Sequence, residues 1–230
     1  MKIVKRIILI VSVCFLLVSC LILGQGYQMY HEAIEKMPLS EKVEQYRSKE
    51  DYVSLEELPN EYKNAVISVE DHRFYQHSAI DIISIGRAIV TNLKEGELVE
   101  GGSTITQQLA KNLYFTQKQE FTRKIAEIFM AFDMENHYSK DEILELYVNT
   151  SYFGDGYDGI GQASKGYYQK HPKDLNLNES TMLAGIPNAP SVYAPTKNPE
   201  LAKKRQQHVI KRMIENKCLT QEQADSILNP

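Results

Sequence analysis

The pattern of apolar residues divides the chain into an uncharged start and a longer region with helical periodicity. Residues 7–23 contain no charge. As a helix rising about 1.5 Å per residue, they would span about 25 Å, near the lower limit for crossing a bilayer. Downstream, apolar residues recur every three or four positions, in stripes at 65–69, 125–132, 143–148 and 210–214. This spacing is typical of amphipathic helices, so we expect a mainly α-helical domain.

Local signals predict where these helices start and stop. A Ser or Thr followed three positions later by Glu or Gln lets two side chains satisfy free amides at a helix start, and this spacing occurs at Ser54–Glu57, Ser139–Glu142 and Thr220–Gln223. Glycine and proline concentrate at 154–161 and 187–199, where we expect loops. The predicted helices include 60–73, 121–134 and 201–217.

The apolar start has three interpretations. Lys2, Lys5 and Arg6 precede it, and positive residues favour the cytoplasmic side. We favour a retained, single-pass transmembrane anchor with the N-terminus inside and the remaining chain outside. A cleaved signal peptide fits less well because the run is long and lacks a small-x-small site followed by polar sequence. A lipoprotein signal ending at Cys20 is the third interpretation, although the apolar run continues past that cysteine.

Length and composition set the expected domain organisation. The 230 residues suit one catalytic domain plus an anchor. We expect an anchor at 1–24, a polar stalk at 25–49 and a catalytic domain at 50–230. A fragment beginning near Lys49 is then expected to keep the active domain.

Charge and cysteine content exclude some classes of protein. The net charge is −4, and three basic residues are the only charged ones before Glu32, so the rest of the chain carries −7. Nucleic-acid binding favours a broad basic face, so we expect no nucleic-acid partner. Cys218 is the only cysteine after the apolar run, which argues against a disulfide-built scaffold.

A first chemical motif is Glu70-Asp71-His72-Arg73-Phe74-Tyr75-Gln76-His77. Glu70 follows three apolar residues near a predicted helix end. Apolar surroundings disfavour an ionised carboxylate and can make it a base near neutral pH. The alternative is an ordinary pair of surface acids.

A second motif reads Gly-Gly-Ser-Thr-Ile-Thr-Gln-Gln-Leu-Ala-Lys-Asn over residues 101–112. The glycines let the backbone approach a ligand, and Ser103 can cap the helix that follows. Gln107 and Lys111 share one helical face. A glycine turn, a helix start and a lysine suit a sugar phosphate, whereas a plain capped helix with a solvated lysine is the alternative.

The third motif is Arg123-Lys124-Ile125-Ala126-Glu127. Arg123 and Glu127 are four positions apart, as in an ordinary surface ion pair worth a few tenths of a kcal/mol. Taken alone, this motif does not distinguish a site from a solvated helix.

Together and in this order, the three motifs resemble those of glycosyltransferase family 51, the peptidoglycan glycosyltransferases. Two later segments fit the same pattern: 143–154, which ends in Tyr-Phe-Gly, and 183–195, which contains Leu-Ala-Gly-Ile-Pro-Asn-Ala-Pro. The resemblance covers about residues 50–200. The chain departs from the family pattern at Ala79, Asp158 and Gln169, none of which belongs to the charged motifs.

The resemblance implies a lysozyme-like, all-helical domain with a small hydrophobic jaw that enters the membrane. It also implies polymerisation of lipid II into β-1,4-linked glycan strands, with inversion and release of undecaprenyl pyrophosphate. The isoleucine-rich segment 79–93 suits either the jaw or an ordinary helix core, since both favour the same side chains.

The resemblance also assigns roles to residues. Glu70 matches the family's catalytic base, and Glu127 matches its second important glutamate. Asp71 and His77 are expected to be structural, while Glu142 fits either the cleft or a helix cap. The candidate substrate-binding residues are Phe74, Gly102, Ser103, Gln107, Gln108, Lys111, Arg123 and Lys124, of which the last three would stabilise the leaving pyrophosphate.

No metal-ligand spacing and no cofactor requirement are visible in the sequence. A divalent cation, Mg²⁺ or Mn²⁺, could arrive with the substrate pyrophosphate. The implied partners are lipid II, the growing polyprenyl-linked strand, the membrane and other cell-wall synthesis proteins. The sequence lacks Ser-x-x-Lys and Lys-Thr-Gly motifs, so we expect no penicillin-binding domain.

Two alternatives remain open. A glycan-cleaving enzyme such as a lysozyme also places a glutamate in a helical fold, but does not need cations for a pyrophosphate. A non-catalytic adaptor could retain the fold, but would not need to keep Glu70, Lys111 and Glu127.

Overall fold

The computed structural model describes residues 2–96, 101–115 and 121–228. Within them, α-helices dominate, and the only β-pairing is an isolated bridge between Tyr152 and Asp158. The mainly α-helical prediction is confirmed. The helices are α1 (Lys2–Lys36), α2 (Leu39–Arg47), α3 (Asn60–Glu70), α4 (Ile82–Glu95), α5 (Ile105–Tyr114), α6 (Phe121–His137), α7 (Lys140–Thr150), α8 (Ile160–Tyr168), α9 (Leu177–Gly185), α10 (Pro190–Tyr193), α11 (Pro199–Glu215) and α12 (Gln221–Leu228).

The first helix contains the predicted membrane anchor and continues beyond it. By length and composition α1 is able to cross a membrane, and its apolar side chains up to Leu23 are mostly exposed. The helix does not end at residue 24 but runs to Lys36. Its later part packs on α6, where the rings of Tyr27 and Tyr30 lie 5.3 and 6.1 Å from the ring of Phe129. Much of the expected stalk is therefore a helix that packs against α6.

A glycine permits the close approach of these two helices. Gly26 is buried, and a Cβ added to it would lie 2.5 Å from the Cβ of Ile125 and 3.1 Å from the carbonyl oxygen of Thr122. Gly24, one half-turn earlier, is exposed and would meet nothing within 4 Å. Only the glycine that faces α6 is sterically required.

The second helix contributes to the hydrophobic core. Leu39 and Val43 are 8% and 1% exposed and belong to the main cluster of buried residues. Burial of each stabilises the fold by about 1.5–3 kcal/mol. At the end of α2, Arg47 pairs with Glu142 at 3.1 Å. The segment 25–49 thus stabilises the domain as well as linking it to the apolar run.

Two groups of helices bring the chemical motifs together. In one, α5 packs against α6 and α7; in the other, α3 packs against α9 and α11. Ile105 and Leu109 of α5 are fully buried, and Tyr62 of α3 is only 1% exposed. This packing brings the end of α3 close to α5.

The predicted caps are present, with one change of helix type. Ser139 and Glu142 form a reciprocal cap at the start of α7. The Ser54–Glu57 box instead starts a three-residue 3₁₀ turn. Leu58 is extended because a residue before proline, here Pro59, avoids the helical conformation.

Helix limits differ from the prediction by a few residues. The helix expected at 60–73 ends at Glu70 because Asp71 leaves the helical conformation, with φ −160° and ψ 76°. The helices expected at 121–134 and 201–217 are observed as α6 and α11. The expected loop at 187–199 is interrupted by the four-residue α10.

The isoleucine-rich helix α4 has an exposed apolar face. Ile82, Ile83 and Leu93 are 74%, 61% and 78% exposed, while Ala88 is its one buried residue. The side chain of Asp81 caps its start by accepting hydrogen bonds from two backbone amides. This exposure favours the membrane-jaw interpretation over an ordinary helix core.

Candidate active site

A cleft of about 520 Å³ lies where α3 ends and α5 begins. Five of the predicted site residues line it: Glu70, Gly102, Ser103, Gln108 and Lys111. The walls also include residues of α4 and α11, two helices from which the sequence predicted no site residue. Three cations missing from the sequence prediction line these walls, namely Arg87, Arg205 and Arg212. His208 lies with them, and burial, followed by the neighbouring cations, lowers its pKa.

Glu70 is the last residue of α3, and its side chain is only 7% exposed. One carboxylate oxygen, Oε2, accepts a hydrogen bond of 2.9 Å from Nε2 of Gln108. The other, Oε1, lies 3.3 Å from Nη2 of Arg205. Both carboxylate oxygens of Glu70 therefore contact polar donors, which the apolar residues before it in the sequence did not indicate.

The orientation of Gln108 is fixed by Tyr147. The Tyr147 hydroxyl donates to Oε1 of Gln108 at 3.2 Å, so the amide nitrogen faces Glu70. Burial, and then the charge of Glu70, raises the pKa of Tyr147 well above its ordinary value. The tyrosine stays protonated as a donor at neutral pH.

The cap of α5 is Thr104, which corrects the expectation for Ser103. Oγ1 of Thr104 accepts from the amide of Gln107, and Oε1 of Gln107 accepts from the amide of Thr104. The spacing Thr-x-x-Gln is itself a capping box and could have identified this cap from sequence. Gln107 is 2% exposed, so its amide oxygen supports the helix start and does not face the cleft.

The glycine turn before this cap brings the loop against α4. A Cβ on Gly102 would lie 3.1 Å from Cα of Ile85, tighter than most real contacts. Gly101 has open space around the same position. Gly102 therefore permits a close backbone approach, and the nearest neighbour is α4.

Ser103 connects the second and third motifs. Lys124 on α6 donates to Oγ of Ser103 at 2.9 Å and pairs with Oε2 of Glu127 at 3.0 Å. Nη1 of Arg123 lies 3.4 Å from Oε1 of the same glutamate. Glu127 is 2% exposed, so this buried carboxylate holds two cations beside the glycine turn.

Lys111 lies between Glu70 and the charges of α6. Burial lowers its pKa; the carboxylates of Glu127 and Glu70 act in the opposite direction, and the neighbouring cations Arg123 and Lys124 lower it further. Lys111 also lines both the main cleft and a second cavity of about 200 Å³. A half-buried lysine beside two other cations is a favourable place for an anion.

The structure does not bring every predicted residue to the cleft. Phe74 is fully buried, and Nζ of Lys140 lies 4.4 Å from its ring centroid. Gln107 is buried in the cap. Among the described residues, Arg123, Lys124 and Glu127 are close to the cleft through Ser103 and Lys111 but do not line it.

Asp71, His77 and Asp81 place potential metal-ligand atoms within 4.8 Å of one another. Their atoms already have partners: Asp71 contacts His77 at 2.8 Å and the amide of Ile105 at 3.1 Å, and Asp81 pairs with Arg73 at 2.8 Å. Burial would raise the pKa of Asp81, but hydrogen bonds from Arg73 and Ser84 lower it. An ion would have to displace these donors, so the three residues do not fit a resident metal.

Arg205 is the contact of Glu70 that the sequence did not reveal. It lies on α11, 135 positions from Glu70. No local spacing relates residues so far apart, and α11 contains several basic residues with nothing to distinguish them.

The transglycosylase family model matches residues 36–214. Penicillin-binding protein 1A of Neisseria lactamica is 45% identical over 179 residues, covering 78% of this chain and 22% of the relative. Penicillin-binding protein 1F of Bacillus subtilis is 44% identical over 179 residues, covering 78% and 25%. The chain spans about a quarter of the length of these curated relatives.

A solved structure of penicillin-binding protein 1A from Haemophilus influenzae is 28% identical, covers 55% of this chain and 15% of that chain, and gives a TM-score of 0.39. The fold described above does not rest on this partial overlap. The family model covers more than half of the chain, including all five motifs. The chain therefore belongs to the transglycosylase family.

Proposed function

We propose that this chain is a peptidoglycan glycosyltransferase of bacterial cell-wall synthesis. It joins lipid II units into β-1,4-linked glycan strands, with inversion and release of undecaprenyl pyrophosphate. The observation that carries this proposal is a single cleft that combines a buried carboxylate, Glu70, with a half-buried cation, Lys111. Such a pair provides a base for one reactant and a counter-charge for the other.

The base and the cations act on different atoms. Glu70 accepts the proton of the acceptor's 4-hydroxyl while that oxygen attacks the anomeric carbon of the donor. The bond to pyrophosphate breaks on the opposite face, which inverts the configuration. Negative charge develops on the pyrophosphate, so Lys111, Arg123 and Lys124 stabilise the transition state more than the ground state. Glu127 orients the two α6 cations, with which it is paired.

The remaining site residues position the substrate. Gly102, Ser103 and Gln108 are available to sugar or phosphate oxygens at the cleft. We assign Phe74 and Gln107 an indirect role through packing because both are buried. Any Mg²⁺ or Mn²⁺ that takes part would be carried by the substrate pyrophosphate.

The same proposal gives the chain a position in the cell. The apolar part of α1 crosses the cytoplasmic membrane once, with its N-terminus inside. The catalytic domain lies on the outer face, where the exposed side of α4 enters the lipid. The partners are lipid II, the growing strand, the membrane and other cell-wall synthesis proteins.

The test is Glu70→Gln in the full-length chain, solubilised in detergent and supplied with lipid II alone. Loss of a general base typically lowers turnover by about 10²–10⁴-fold, measured by gel analysis of glycan products. Glu61→Gln on the same helix is the matched control because Glu61 is exposed. More than a tenth of wild-type turnover in a folded Glu70→Gln protein would contradict the assignment. Cleavage of finished peptidoglycan without polymerisation would favour a glycan-cleaving enzyme instead.

A further inference from the structure

The guanidinium of Arg205 is fixed by contacts on three sides. Nε donates to the carbonyl of Gly185 at 3.2 Å. Nη2 lies 3.3 Å from Oε1 of Glu70, and the ring centroid of Tyr193 is 5.8 Å from the guanidinium carbon. The side chain is 14% exposed. Together, these contacts restrict both the orientation of the guanidinium plane and the position of its charge.

Gly185 is needed for this arrangement. A Cβ added there would lie 3.0 Å from Cγ of Arg205 and 3.3 Å from Cγ2 of Val209. Cγ is near the base of the side chain, so the arginine would have to shift as a whole. The glycine therefore lets α11 approach α9 closely enough for Arg205 to reach Glu70.

The two oxygens of Glu70 have different neighbours. Oε2 contacts Gln108, a neutral amide. Oε1 contacts Arg205, the charged donor in direct contact with Glu70 among the described residues. Lys111 and Tyr147 also interact electrostatically with Glu70, but the cation in direct contact with it comes from α11, outside the recognised motifs.

We propose that Arg205 is a positioning residue for Glu70, whose guanidinium holds the carboxylate with its lone pairs directed at the cleft. This inference rests on the proposed function. Arg205 does not touch the reacting atoms in this scheme. It acts through Glu70, by holding the base in place for the acceptor hydroxyl. The positive charge of Arg205 and its hydrogen bond to Gly185 make separable contributions.

The test measures kcat/KM against pH with the full-length protein and lipid II. An opposite charge within about 4–6 Å commonly changes the titration of a carboxylate by 1–3 pH units. In the plot of kcat/KM against pH, the acidic limb is the range in which kcat/KM falls as the pH is lowered. Arg205→Met should move this limb to higher pH by about 1 unit, which lowers kcat/KM about tenfold on the acid side. Arg205→Lys should restore the position of the limb but not the full kcat, because the charge remains and the Gly185 contact is lost.

Two further variants and one control test the role of Arg205 independently of Arg205→Met. Gly185→Ala keeps the charge of Arg205 but shifts its side chain away from Glu70, so the acidic limb of this variant should move in the same direction by a smaller amount. Arg205→Gln serves as the neutral variant if Arg205→Met does not fold. Lys204→Met, on the exposed side of the same helix, is the control and should leave the limb unchanged.

The outcomes separate this inference from the proposed function. An inactive Glu70→Gln together with an unshifted limb in folded neutral Arg205 variants would overturn the positioning role and leave the function intact. An active Glu70→Gln would overturn both. A shifted limb that Arg205→Lys restores supports the inference.

Discussion

Replacing Gly26 with alanine tests the packing of α1 on α6, because it changes only the contact between these two helices. The new Cβ would lie 2.5 Å from Cβ and Cγ2 of Ile125. Carbon atoms pack best at about 3.5–4.0 Å, so the helices must separate by roughly 1 Å. The backbone carbonyl of Thr122 at 3.1 Å limits a sideways shift. The contact can be relieved only by moving one helix away from the other.

The magnitude follows from comparison with Gly24→Ala. Both changes give a similar gain in helix propensity, about 1 kcal/mol, but the one at Gly24 meets nothing within 4 Å. Their difference therefore isolates the cost of overpacking, about 1–3 kcal/mol. For a chain of this size, each kcal/mol lowers Tm by about 2–4 °C. We expect Gly26→Ala to melt about 2–12 °C below Gly24→Ala.

The assay is thermal unfolding of both full-length variants in the same detergent, followed by lipid II polymerisation at a temperature where both are folded. Because α6 carries Arg123, Lys124 and Glu127, displacement of α6 should also slow turnover in Gly26→Ala alone. Equal melting temperatures would refute the steric reasoning. A lower Tm with unchanged turnover would show that the contact stabilises the fold without positioning the cations.

Three other predictions concern charge and chain length. Lys111→Met should lower turnover and weaken binding of a phosphoglycolipid such as moenomycin, yet raise Tm, because burial that lowers a lysine pKa destabilises its charged form; unchanged values for all three would place Lys111 outside the site. Burial lowers the pKa of His77, but the hydrogen bonds to Asp71 and to the carbonyl of Ser78, with the charge of Asp71, together raise it. This stabilisation is complete below pH ~6.5 and is lost as pH rises through the folded pKa, so His77→Gln should flatten the fall of Tm over that range; an identical pH dependence would contradict this. A fragment starting at Lys49 should unfold at lower denaturant concentration than one starting at Gln25 because it lacks α2 and the end of α1, a loss of about 3–6 kcal/mol from the two buried side chains of α2 alone; equal midpoints would show that segment 25–49 does not stabilise the domain.

The local parts of the fold were predictable because local forces determine them. The stripe that predicted a helix at 121–134 corresponds to α6, and the Ser139–Glu142 box starts α7. Both signals depend on residues within one or two turns of each other. The same kind of signal was overlooked at Thr104, where the cap spacing to Gln107 was present in the sequence.

The parts that could not be predicted depend on contacts between distant segments. Nothing near Gly26 indicates that its missing side chain makes room for Ile125, 99 positions later. In the same way, the surroundings of Glu70 were expected to be apolar because its sequence neighbours are. In the folded protein, the carboxylate instead meets Gln108 and Arg205 from two other helices.

The continuous helix α1 gives the proposed active site a mechanical connection to the membrane, because the helix that would cross the lipid also packs on α6. At about 1.5 Å per residue, the 35 residues of α1 form a helix of about 52 Å, apolar towards its N-terminus and packed on α6 towards its C-terminus. Transmembrane helices accommodate a mismatch between their apolar length and the hydrocarbon thickness by tilting or by thinning the bilayer locally. When α1 crosses the membrane as proposed, a change in its tilt turns α6 with it and alters the height at which a polyprenyl-linked sugar meets Glu70. Lipid chain length then becomes a physical variable of catalysis, and an apolar run of about 25 Å is better matched to thin membranes than to thick ones.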